Sequence, residues 1–203
     1  MRKSLILIAF ALTAIASATE PGGYGVSILT ETGCYTASGP GNSAIAIGRG
    51  WNNGNLDLPV TVRYTSHEAT AHTQEVVESV VDHLRRLLPL VTLVKTTNTT
   101  APMTIRVQSA ALPGNMLGQA NYPYSVEPIA GDVLIHSGIT DPTQLWRVAA
   151  HEIAHAMGIG HGGSLMLPYY TPGPLAYEVK DQILFSWWYR ITPYRYYTGG
   201  YGR

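Results

Sequence analysis

A single cysteine, Cys34, occurs in the 203 residues of this chain. One thiol excludes an intramolecular disulfide, so stability outside a cell has to come from a packed core, a bound metal or a partner. Charge is equally sparse. Lys, Arg, Asp and Glu supply 13% of the residues, against roughly 25% in ordinary soluble chains, and the 13 basic and 13 acidic side chains cancel. Without a positive excess there is no phosphate-tracking surface, and nucleic acid is not expected as a partner. Long apolar runs are missing beyond the N-terminus, where no segment approaches the roughly 18 residues that a membrane-spanning helix needs. What is present fits about one domain.

Met1 to Ala18 carries the three parts of a secretory signal: Arg2 and Lys3, an apolar stretch from Leu5 to Ala16, and the small residues Ala16-Ser17-Ala18, which place cleavage before Thr19. The apolar stretch is too short to cross a bilayer comfortably. A secreted, extracellular protein is expected, left slightly acidic once Arg2 and Lys3 are gone. Residues 19–50 are rich in Gly, Ser, Thr and Ala without a sustained apolar period, and read as a leader or short propeptide. Residues 51–190 hold the patterned domain, and 191–203 form a Tyr/Gly-rich tail.

Within the domain, Pro59 to Tyr64 alternates apolar and polar residues as a half-buried strand does. A helix follows, with Val76, Val77, Val80, Val81, Leu84, Leu87 and Leu88 on one stripe and Pro89 ending it. Extended segments are predicted at Val91 to Val94, Met103 to Val107, Leu117 to Tyr122 and Asp132 to His136. A second helix is well signalled by Asp141 as N-cap, Pro142 at the first helical position and Gln144 three residues after the cap. It should run to about Met157 and stop at Gly158 and Gly160, and a third helix is expected from about Ala176 to Tyr189.

The chemistry sits at the end of the second helix. His151 and His155 are four residues apart, one turn along the same helical face, and Glu152 lies beside them. Gly158 lets the chain turn sharply so that His161 returns a third imidazole. Three nitrogen ligands leave zinc a fourth position for water, the mark of a catalytic site, and Glu152 is placed to take that water's proton. His67, His72, His83 and His136 have no ligand spacing. Asn98-Thr99-Thr100 is a glycosylation acceptor sequence.

The string HEIAHAMGIGH, followed shortly by Met166, resembles the metzincin clan of zinc endopeptidases, and within it the matrix metalloproteinases. LWRVAAHEIAHAMGIGH is similar to their active-site helix and LMLPYY to their methionine turn. PVTVRY, Met103 to Val107 and LGQANYP resemble three of their strands, and Trp51 stands where a Trp often opens their catalytic domain. The resemblance implies an α+β metzincin-like zincin: a small twisted mixed sheet, two long helices of which the second carries the zinc motif, and a C-terminal helix. His151, His155 and His161 would bind zinc, Glu152 would act as general base, and Met166 would floor the site as a structural residue. Arg147, Pro168 and Tyr170 would shape the pocket for the residue after the cut bond, and Leu117, Gly118, Gln119 and Ala120 would form the edge strand that pairs with an extended polypeptide substrate. For Arg147 an equal alternative is pairing with a local carboxylate.

Several positions depart from that family. Gln119 and Leu134 replace its structural-zinc histidines, and its acidic calcium loop is trimmed, so one catalytic zinc is expected with no structural zinc or calcium. Cys34 is a possible latency switch toward zinc, although its Thr32-Gly33-Cys34-Tyr35 context lacks the family's arginine; a buried free thiol or an intermolecular disulfide are the alternatives. Asp181 opens the last helix, where an acid is favoured by the helix dipole, while the family pairs an acid there with the freed N-terminus. The expected protein is a monomeric, secreted metalloendopeptidase. Its rivals are a zinc-fold binding or adhesion protein without turnover and a dedicated self-processing protease.

Overall fold

The computed structural model describes residues 26–30, 34–36, 58–121, 131–167 and 170–189. Residues 1–18, expected as a signal, most of the expected leader, Trp51, Pro168 and the tail 191–203 lie outside the described residues. Among the described residues, seven strands and three helices follow one another as β1 (Val26–Thr30), β2 (Cys34–Thr36), β3 (Val60–Glu68), α1 (Ala71–Leu87), β4 (Val91–Lys95), β5 (Thr104–Ala110), β6 (Met116–Asn121), β7 (Asp132–His136), α2 (Pro142–Ala156) and α3 (Val179–Tyr189). The fold is α+β, with one mixed sheet in the order β2-β1-β6-β7-β5-β3-β4. β3, β4, β5 and β7 run parallel to one another, whereas β6 is antiparallel to both β7 and β1.

The first helix forms where its stripe requires. Thr70 caps it, accepting the Thr73 amide at 3.2 Å, and Val76, Val77, Val80, Val81, Leu84 and Leu87 are buried. Each such side chain contributes about 1.5–3 kcal/mol when removed from water. The second helix starts as its sequence dictates: the Asp141 carboxylate accepts the Gln144 amide at 2.6 Å, and Pro142 occupies the first turn, where a missing N–H costs nothing. Residues Leu145 to Ala156 of α2 are all buried, since one side packs on α1 and another lies over β6 and β7. Trp146 ties the two helices together by donating from Nε1 to Ser79 Oγ at 3.1 Å.

The leader departs from expectation. Val26–Thr30 and Cys34–Thr36 form a hairpin that joins the sheet, with Ile28 opposite Gln119 and Leu29 opposite Gly118. β6 is therefore an interior strand here, and the reading of Leu117, Gly118, Gln119 and Ala120 as an open edge is corrected: β1 fills their outer rim. The physical reason is general. A strand edge presents unpaired backbone groups that accept any extended segment within reach, and Val-Ser-Ile-Leu-Thr is rich in residues that favour strands.

Candidate metal centre

The end of α2 is locked by backbone bonds that bring the chain back over the helix. The Met157 amide reaches Ile153 O and Ala154 O, Gly158 N donates to His155 O at 2.8 Å, and Ile159 N donates to Ala154 O at 2.9 Å. Gly158 has φ of 87°, a left-handed conformation in which a side chain would be strained. The reversal places His161 beside the other two imidazoles. Ring centroids of His151, His155 and His161 lie 4.5, 4.7 and 5.6 Å apart, and one potential ligand atom from each falls within 4.8 Å of the others. All three rings are buried.

The hydrogen bonds of the rings fix their tautomers. Nδ1 of His151 is 3.0 Å from Leu165 O and Nδ1 of His155 is 2.7 Å from Ile159 O. A carbonyl only accepts, so both Nδ1 atoms carry the proton and both Nε2 atoms present lone pairs. Those two Nε2 atoms stand 2.9 Å apart. They would hydrogen-bond only if one ring were cationic, and burial opposes that charge. It holds the His151 pKa down at about 3 and that of His155 well below the ordinary value, with the neighbouring imidazoles adding to the effect; burial lowers His161 to about 4. Converging lone pairs with Nδ1 anchored to carbonyls are what a cation needs, and the three rings fit a metal ion.

Glu152 is fully buried next to the triad. It lies against β6: a Cβ added to Gly118 would fall 2.8 Å from Glu152 Cγ and 3.0 Å from its Oε1. Glycine inside a strand often marks close approach of another group, and here that group is the catalytic candidate. Sequence patterning missed this role of Gly118, although the lone glycine in LGQAN carried the signal.

The turn carrying Met166 is tight, with only Gly162 to Leu165 between it and His161. Gly162 and Gly163 have φ of 144° and 76°, and Gly162 N donates to Met166 O at 2.8 Å. Met166 is fully buried, and Leu165 supplies the carbonyl that orients His151. The whole turn is organised by Asp181. Its Oδ1 accepts the amides of Ser164, Leu165 and Met166 at 2.8, 2.9 and 3.0 Å, and its Oδ2 accepts the Glu178 amide at 2.9 Å. Where the sequence suggests an acid favoured by the helix dipole, the fold uses Asp181 both to cap α3 and to hold the methionine turn. A polar residue completely removed from water had to have such partners, but its burial was not visible in the sequence.

Arg147 is buried, and no carboxylate among the described residues pairs with it. Its Nε donates to Thr171 O at 2.7 Å and its Nη1 to Pro174 O at 2.6 Å, while Gly173 leaves room for the guanidinium. Among the described residues its hydrogen-bond partners are thus carbonyls of the 171–174 loop. Tyr170, on that same loop, is half-buried against the core. Two tyrosines with no role in the sequence reading brace the back of the motif helix: Tyr177 Oη donates to Ala150 O at 2.6 Å and Tyr189 Oη to Met157 O at 2.7 Å. Backbone pairing puts Cys34 opposite Leu29 on the outermost strand. Asn98 is exposed and accepts the Thr100 hydroxyl at 3.0 Å. Gln119 and Leu134 are paired across β6 and β7.

No family model and no curated protein matches the chain. Among solved structures, one titled "Structure of myroilysin" is similar to it, at 16% sequence identity and a TM-score of 0.44. The likeness covers 55% of this chain and 54% of that one, so the chain spans about half the length of the structure it matches. No described helix is long and apolar enough to cross a membrane.

Proposed function

We propose that this protein is a secreted, matrix metalloproteinase-like zinc endopeptidase that hydrolyses internal bonds of extended polypeptides. The observation that carries the reading is the buried triad His151, His155 and His161 with their lone pairs converging and Glu152 adjoining. Its all-nitrogen donor set suits zinc. Bound there, zinc would polarise the scissile carbonyl and acidify a water molecule.

The chain's own residues supply the rest. Leu165 O and Ile159 O hold His151 and His155 in the tautomer that exposes Nε2. Glu152 takes a proton from the attacking water and returns it to the leaving amine, in a pocket with little bulk water to compete for it. Asp181 keeps the methionine turn, and therefore the Leu165 carbonyl, in register with His151. Arg147 supports the loop bearing Tyr170, which would wall the pocket for the residue after the cut bond.

Incubating wild type and Glu152→Ala with a denatured protein mixture, with and without a zinc chelator, tests the reading. New peptide termini should arise only with unchelated wild type. Identical termini in all samples would remove the peptidase assignment and leave a zinc-binding protein without turnover.

A further inference from the structure

Asn98-Thr99-Thr100 has no part in the metal centre, and it is the one glycosylation acceptor triplet in the 203 residues. It sits in the loop that joins β4 to β5. β4 pairs with the first half of β3, up to Tyr64–Lys95, and β5 takes up the other rim of β3 from Arg63–Thr104 onward, so residues 96–103 must cross β3 in mid-strand. The crossing is pinned at both ends. Thr96 N donates to Tyr64 O at 2.9 Å, and Thr104 Oγ1 donates to Ala101 O at 2.6 Å. Between them Thr99 O accepts Arg106 Nη1 at 3.0 Å. Ile105 and Val107, the strand neighbours of Arg106, belong to the core under the helices, and side chains alternate along a strand. The loop therefore crosses on the sheet face turned away from α1 and α2, and the sheet stands between Asn98 and the histidine triad.

Asn98 is exposed, and its amide is already oriented. The Thr100 backbone N–H can only donate, so the side-chain atom 3.1 Å from it is Oδ1, which also accepts the Thr100 hydroxyl at 3.0 Å. No described residue engages Nδ2. A sugar on Nδ2 leaves the carbonyl oxygen of the amide in place, so the loop loses neither bond by accepting one. The same loop ends the outermost strand. Among the described residues nothing pairs with the free rim of β4, where Leu90 and Val94 are 38% and 40% exposed. An open edge of that kind invites pairing with another chain unless something covers it. We propose that Asn98 carries an N-linked oligosaccharide, which shields the open edge of β4. The group is bulky and solubilising, and its root lies three residues beyond Lys95, the last residue of that strand. Its donor is an oligosaccharide carried on a polyprenyl pyrophosphate. Nδ2 attacks the anomeric carbon, the N–C bond forms as the C–O bond breaks, the lipid pyrophosphate leaves with the bonding electrons, and Nδ2 gives up one proton. The proposal rests on the secreted part of the reading above and on none of its peptidase chemistry.

The full chain is expressed in a eukaryotic secretory host, beside a second chain with a host signal in place of residues 1–18. Intact mass of the protein in the medium should show one glycan, removable by an endoglycosidase, retained in Thr100→Ser and missing from Thr100→Ala and Asn98→Gln. Unmodified protein in the medium from the host-signal chain overturns the proposal. A glycan on that chain, with no secretion directed by residues 1–18, overturns the secreted reading and leaves the acceptor site standing. Shielding is read on the folded wild type, so it does not depend on any variant folding. Trimming the glycan to its first sugar adds no charge, and should raise self-association on warming several-fold by light scattering. Val94→Lys, which sets a charge on the bare edge, should return the trimmed protein to the glycosylated behaviour. Scattering unchanged by trimming overturns the shielding role.

Discussion

Gly118 on β6 packs against Glu152 on α2, so closely that a methyl group at position 118 would stand 2.8 Å from Glu152 Cγ and 3.0 Å from Val148 Cγ1. The distance between sheet and motif helix is therefore set by the absence of a side chain. Gly118→Ala should force the carboxylate or the strand aside, costing about 1–3 kcal/mol of stability and lowering peptide hydrolysis at least tenfold. Thermal unfolding and kcat measured on the same preparation check this. Hydrolysis at the wild-type rate would show that Glu152 does not act from the position it holds beneath β6.

Asp181 predicts a larger effect at a distance from the chemistry. Three amides of the methionine turn and one at the start of α3 depend on its carboxylate, in a site without water. Asp181→Ala strands those donors and should cost roughly 3–5 kcal/mol. Asp181→Asn retains an acceptor oxygen but loses the charge, and should cost about half as much. Both should loosen zinc, because the Leu165 carbonyl that fixes His151 belongs to the same turn. Zinc affinity by chelator competition, beside the unfolding midpoint, distinguishes this from a purely local loss of stability.

How much of this was readable beforehand follows from what each residue depends on. The α1 stripe, the Asp141 cap, the HEIAHAMGIGH ligands and the short turn to Met166 are local patterns, and local patterns survive in the sequence. Asp181, Tyr177 and Tyr189 act on residues 15 to 32 positions away, where no spacing rule applies. The β1 hairpin was hidden for another reason. Its attachment runs through backbone groups, which are the same in every sequence, and its five residues were too few to stand out among the glycines of the leader.

Arg147 yields a prediction about selectivity. Its two bonds to Thr171 O and Pro174 O tether the loop that carries Tyr170. Arg147→Leu keeps the bulk of the stem but abandons those carbonyls, so the loop should open and the pocket after the cut bond should accept larger side chains. A peptide library should show preference for small apolar or acidic residues in wild type and a broader profile in the variant. Preference of wild type for bulky aromatic residues would mean that the arginine does not limit the pocket.

Acid should destabilise the metal-free protein through the same three histidines that bind metal. Burial lowers His151 to about 3 and His161 to about 4, and His155 is displaced in the same direction, whereas an unfolded chain titrates its histidines near 6.5. Between those values the unfolded state binds more protons than the folded one, so stability rises with pH there. The contribution is complete above about pH 6.5 and is lost as the pH falls toward 4 and then 3, at about 1 kcal/mol per pH unit for each histidine. Urea unfolding of the metal-stripped chain across that window should show the slope, and His161→Asn should flatten it by one histidine's share. Zinc engages the same neutral nitrogens, so adding it in thousandfold excess over its dissociation constant should raise stability by about 4 kcal/mol, or roughly 10 °C in the midpoint. Because protons and metal compete for one set of lone pairs in the folded state, that gain must itself shrink only as the pH falls toward about 4 and then 3; a zinc-induced shift that persists unchanged below pH 4 would place the metal somewhere other than the triad.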